Sequence, residues 1–97
     1  MDFKSEQNDT LFKAILSLET IEECYAFFED ICTIKELRDL SQRLQAAIML
    51  TKKVNYLTIA HDVGLSTATI SRVSRCLNYG EGGYKLVLER LKENKDI

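Results

Sequence analysis

No proline occurs anywhere in this chain, and no segment of strand length alternates apolar with polar residues. Without that alternation a strand has no face to bury. Without proline, a helical pattern can be ended only by capping side chains, glycine or polar clusters. The chain is therefore expected to be all-α, with its helix ends marked by Ser, Thr, Asn and a few glycines.

Apolar spacing and caps then divide the chain. A first helix is expected from about Asp9 to Leu18, carrying Leu11, Phe12, Ile15, Leu16 and Leu18. Thr20 with Glu23 has the spacing of a capping box and opens a second helix, Ile21 to Ile31, with Ile21, Cys24, Tyr25, Phe27, Phe28 and Ile31. Thr33 with Glu36 repeats the device before a longer helix that runs to about Lys52 and carries Leu37, Leu40, Leu44, Ala47 and Ile48. A last helix, about Tyr84 to Glu93, lines up Tyr84, Val87, Leu88 and Leu91. A chain of 97 residues buries about two-thirds of its unfolded surface by folding alone. The first three helices are apolar on more than one stripe, so an obligate homodimer built by the N-terminal helices is expected. The layout is one domain over residues 1–97, with dimerisation helices in 1–52, a helix-turn-helix in 55–79 and a final helix in 84–93.

Composition excludes several classes. There is no apolar run of the roughly 18 residues a spanning helix needs, and the acidic start lacks the basic and apolar regions of a signal peptide. No membrane association is expected, and the chain reads as cytoplasmic. Cys24, Cys32 and Cys76 match no zinc or redox spacing and read as reduced, buried thiols. Net charge is −2, but unevenly placed: residues 1–34 carry two basic against eight acidic side chains, and residues 35–75 carry seven basic against three acidic. A basic centre is commonly a solvated face, so a motif has to decide its meaning.

That motif lies in Asn55 to Leu77, "NYLTIAHDVGLSTATISRVSRCL". Asn55 caps a short helix, Tyr56 to Val63, with Ile59, Ala60 and Val63 turned inward. Gly64 supplies the left-handed residue that ends it, and Leu65 fills the corner. Ser66 or Thr67 caps the next helix, whose Ile70, Val73 and Leu77 return to the core. This is a helix-turn-helix spacing. Such spacing also occurs in helical corners that read nothing, so the outer face carries the argument.

What faces outward there is Ser66, Thr67, Ala68, Thr69, Ser71, Arg72, Ser74 and Arg75, with no carboxylate among them. An ordinary solvated helix mixes Glu with Lys. A helix that lies against phosphates excludes negative charge, and one that enters a groove about 12 Å wide needs short side chains. Hydroxyls can meet phosphates or base edges, methyls can touch thymine, and arginine can reach guanine or the backbone. Residues of mediocre helix propensity are thus tolerated, at roughly a few tenths of a kcal/mol each. The DNA-contacting set is Ser66, Thr67, Ala68, Thr69, Ser71, Arg72 and Arg75, on a recognition helix spanning 66–78.

The run "STATISRVSRCLNYGEGGY" resembles the signature of the YerC/YecD branch of the tryptophan-repressor-like family. The resemblance is most specific from Gly64 to Tyr84 and weak before Leu37. It implies a six-helix fold, an intertwined homodimer whose N-terminal helices share one core, and two projecting helix-turn-helix units. The tryptophan-sensing members hold the indole ring between two arginines, with a glycine leaving room for it. Arg72 matches the first arginine, the second falls near Gln42 with Arg43 beside it, and Cys76 replaces a hydroxyl. The glycine position is Val73. The resemblance thus offers Arg72, Arg43 and Cys76 as a ligand set, while a β-branched residue where the ring would lie argues against tryptophan. No cofactor is expected, and any small-molecule effector is open.

Other chemistry finds little footing. His61 beside Asp62 makes no acid–base pair, because neighbours on a helix face apart. Cys24, Cys32 and His61 lack metal-ligand spacing, so no metal site is expected. Gly80-Glu81-Gly82-Gly83 has neither a preceding strand nor a following Lys-Ser or Lys-Thr, and reads as a helix end and linker between Tyr79 and Tyr84, which are placed in the core or at a corner. No catalytic residue is expected. The leading reading is a sequence-specific transcriptional regulator of repressor type, binding double-stranded DNA at a near-palindromic site. Its rival is a helical interaction module that uses the same corner to hold a protein partner.

Overall fold

The computed structural model describes residues 3–97. Six α-helices follow in order: α1 (Glu6–Leu16), α2 (Ile21–Ile31), α3 (Ile34–Thr51), α4 (Tyr56–Ile59), α5 (Thr67–Tyr79) and α6 (Gly83–Glu93), with a π-helical turn at Ala60–Gly64. No strand occurs among the described residues. The chain divides into two compact units, one up to Leu37 and the other Arg38–Ile97.

In the first unit the caps set the helix bounds. α1 begins three residues before the expected Asp9, because the Ser5 hydroxyl already accepts the Asn8 amide at 3.0 Å and acidic Glu6 and Asp9 suit a first turn. It stops short of Leu18. The Ser17 hydroxyl donates to the Ala14 carbonyl at 2.6 Å, and the Leu18 amide closes onto Ile15, three residues back. α2 has the expected bounds. Thr20 accepts the Glu23 amide at 3.1 Å, but the Glu23 carboxylate returns to the Glu19 amide instead of that of Thr20. The box ahead of α3 is reciprocal: Thr33 accepts from Glu36, and Glu36 accepts from the Thr33 amide. Neither α1 nor α2 has a buried residue. Phe12, Leu16, Ile21, Tyr25 and Ile31, on the apolar stripes expected to build a homodimer, are at least half exposed within the single chain. Phe27 and Phe28 meet edge to face, with centroids 5.6 Å apart.

The second unit contains the buried core: Ala46, Ala47, Ile48, Ile59, Ile70, Val73, Leu77 and Leu88. α3 ends in a Schellman arrangement without glycine. Lys53 takes φ +63°, the Val54 amide reaches the Met49 carbonyl, and the Lys53 amide reaches Leu50. Leu44, Ala60, Val63, Leu65, Tyr84 and Leu91 pack around the core, while Leu40 and Val87 stay exposed on their helices. The fully buried Ile59 and Ile70 each contribute about 1.5–3 kcal/mol by leaving water.

Expectations of burial fail at the cysteines and at Tyr79. Cys24 and Cys76 are exposed and Cys32 is half-buried, all as free thiols. A small thiol is buried only where its helix face is covered. Cys24 lies on a helix without a buried residue, and Cys76 lies beside the Ile70–Val73–Leu77 stripe instead of on it. Tyr79 is 87% exposed for the same reason, two residues past Leu77 and on the far side of α5.

Candidate nucleic-acid interface

Asn55 opens the motif by accepting the Thr58 amide at 2.9 Å. The helix it starts is α-helical only to Ile59. From Ala60 the backbone widens into the π-helical turn, where the sequence pattern predicts a regular helix to Val63. Wide turns of this kind are common where a helix stops, and this one stops at Gly64 with φ +82°. Leu65 returns to extended backbone and packs half-buried against the core.

Ser66 then caps α5. Its hydroxyl accepts the Thr69 amide at 3.2 Å and donates to the Thr69 hydroxyl at 3.1 Å. The amides of Thr67 and Ala68 lead the helix, where no intrahelical acceptor exists for them, so positive charge is presented at this end. Ile70, Val73 and Leu77 are buried, which fixes the rotation of α5. Ser66, Thr67, Ala68, Ser71, Arg72 and Arg75 are exposed. Thr69 is only half-buried toward solvent and its hydroxyl is occupied by Ser66, so of the seven it has the least freedom to meet a ligand. Helical spacing brings Ala68, Arg72 and Arg75 onto one stripe, and the exposed Tyr79 continues it. That residue was missed. Its position one turn beyond Arg75 is the sequence signal for that placement.

Neither Arg72 nor Arg75 makes an ion pair among the described residues. With no carboxylate from Ser66 to Tyr79, the face offers two cationic groups and several hydroxyls with nothing of opposite sign on the same helix. His61 and Asp62, expected to face apart, are in contact: Nδ1 lies 3.1 Å from Oδ1. They lie in the widened turn rather than on a regular helix, and both side chains are exposed enough to swing together.

Arg43, Arg72 and Cys76 are all exposed, but Val73 between them is 3% exposed and part of the core. Its side chain is turned into the core with Ile70 and Leu77. Gln42 is engaged too, donating from Nε2 to the Val63 carbonyl at 3.0 Å. Tyr84 sits half-buried close by. Burial raises its phenol above the ordinary value, the Cys76 thiol adds to the rise, and Arg43 opposes it. No group of three or more metal-ligating side chains gathers among the described residues, and no helix of the described residues is long and apolar enough to cross a membrane.

The family profile described as Trp repressor protein matches residues 6–92. The chain belongs to the Trp repressor family. The uncharacterized protein YerC of Bacillus subtilis is 51% identical over 92 residues, spanning 95% of this chain and 88% of that protein. The crystal structure of a TrpR like protein from Eubacterium eligens superposes with a TM-score of 0.89 at 55% identity, covering 92% of both chains. A second solved structure, from Staphylococcus aureus, gives 0.88 at 49% identity over 92% of this chain and 89% of that one. The six-helix fold agrees with these Trp repressor-like structures. Membership in a regulator family points to a DNA-binding regulator.

Proposed function

We propose that the protein is a sequence-specific repressor that binds double-stranded DNA as a homodimer, with each α5 entering a major groove. The observation that carries this reading is the outer face of α5: Thr67, Ala68, Ser71, Arg72 and Arg75 exposed, short side chains beside two arginines, and no carboxylate. The exposed apolar residues of α1 and α2, among them Leu16 at 83% and Ile21 at 71%, support a second copy as their cover. Two recognition helices on a two-fold axis would meet half-sites about 34 Å apart, one turn of DNA, on a near-palindromic site.

The reading includes no tryptophan site. The buried Val73 and the Gln42 amide committed to the Val63 carbonyl support this reading, in which Arg72, Arg43 and Cys76 hold no indole ring. Specific binding is expected to be the same with and without tryptophan.

Selection of bound fragments from random duplex DNA, followed by titration at increasing salt, tests the function. An enriched near-palindrome is expected, with affinity falling steeply as counterions are released. Arg72→Ala should weaken binding and lower the salt slope by about one if it contacts phosphate, or relax one base position if it reads guanine. A pool without enrichment, or binding indifferent to salt and to Arg72, would favour the protein-interaction module.

A further inference from the structure

Val63 is the last residue before Gly64, where φ is +82° and the chain leaves the π-helical turn; the next helix starts only at Thr67. Its carbonyl therefore has no continuing helix ahead to supply an amide. The partner comes from 21 residues earlier in the chain: half-buried Gln42 of α3 donates Nε2–H to it at 3.0 Å. A Cβ placed on Gly64 would lie 3.5 Å from the same nitrogen, so the amide is seated directly against the turn.

The core that α3 shares with the helix-turn-helix is apolar. Ala46, Ala47 and Ile48 share one core with Ile59, Ile70 and Val73. Apolar burial holds elements together but has no direction, whereas a hydrogen bond specifies an angle and a register. On this contrast we infer that Gln42 is a positioning residue for DNA reading: it touches no nucleic acid and fixes the angle at which the turn presents α5. The inference rests on the DNA-binding reading above. It adds that the free protein already holds its recognition helix in register through a bond of its own chain.

A groove of about 390 Å³ lined by Ser41, Gln42, Gln45, Met49, Asp62 and Val63 runs beside the bond. Water entering that groove can satisfy the Val63 carbonyl once the amide is gone. The loss expected on removing Gln42 is therefore one of direction, with stability largely kept.

The test uses the full chain in three forms: wild type, Gln42→Met, which keeps length and removes the donor, and Gln42→Lys, which restores one. Two readouts are followed, the affinity ratio between a selected operator and unrelated duplex at fixed salt, and hydrogen exchange of the amides from Leu65 to Ile70. In Gln42→Met the ratio should fall about tenfold or more, exchange should quicken, and the melting temperature should shift by a few degrees at most. Gln42→Lys should recover most of both. The ratio cancels the charge that lysine adds. Wild-type ratio and exchange in Gln42→Met overturn the proposal, as does a folded Gln42→Lys that stays unselective when Gln42→Met fails to fold. If the wild type itself shows no salt-dependent selectivity, the DNA reading falls, and the exchange arm still decides whether Gln42 holds the turn.

Discussion

The Ser66 hydroxyl accepts the Thr69 amide and donates to the Thr69 hydroxyl, so the residue that leads the carboxylate-free face of α5 is also its cap. The two roles separate on substitution. Ser66→Ala should lose about 1 kcal/mol of stability by removing the cap. Ser66→Asp keeps a capping oxygen and brings a negative charge to the face, so melting should stay near wild type while DNA affinity falls further than in Ser66→Ala. Equal affinities for the two variants in a binding titration would count against phosphate contact at this end of α5.

Gly64 and Gly80 are glycines for different reasons, and substitution should show it. Around Gly64 there is room, since the nearest atom to an added Cβ is Gln42 Nε2 at 3.5 Å, but φ is +82°. Gly64→Ala should cost about 1–2 kcal/mol from the left-handed backbone, and Gly64→Asn less. Gly80 has φ −86°, which any residue adopts, but an added Cβ would collide with the Cys76 carbonyl. There Ala and Asn should destabilise alike in denaturant titrations, because both bring the same Cβ.

Leu16 and Ile21 are the most exposed aliphatic side chains of α1 and α2. If a second copy covers them, light scattering at micromolar concentration should give a dimer mass for the wild type. Leu16→Glu or Ile21→Glu should shift that mass toward the monomer, since each would place a charge in an apolar interface. A monomeric wild type would remove the homodimer from the proposed function.

Tyr84 predicts an alkaline limit. Burial raises its phenol above the ordinary value of 10.0, with Cys76 adding and Arg43 opposing. The protonated ring is thus favoured by folding. Its contribution is complete below the unfolded value and is lost as pH climbs through the raised one. Tyr84→Phe cannot ionise, so its melting temperature should fall less steeply above pH 10 than that of the wild type. Identical alkaline slopes would show that Tyr84 carries none of the loss.

Helix content and most helix ends were legible in the residues alone, because they depend on local chemistry. Thr20, Thr33, Asn55 and Ser66 each accept an amide three residues on, as their spacing implies, and Gly64 takes the positive φ the turn requires. The inward stripe of Ile70, Val73 and Leu77 was equally plain, since a period of 3.6 residues decides which side of a helix is buried once a core exists. Ser5 carries a weaker signal, since no strong apolar run follows it closely, although its hydroxyl caps α1.

Tertiary structure decided what depends on residues far apart. No local pattern could show that Gln42 reaches the Val63 carbonyl, that the helix before Gly64 widens into a π-helical turn, or that Tyr84 is only half-buried. Nor could it assign burial to Cys24, Cys76, Leu16 or Ile21, all of which the single chain leaves exposed. The physical reason is common to these cases. Propensity and capping act within a few residues along the chain, whereas burial and side-chain pairing follow from which surfaces the completed fold brings together.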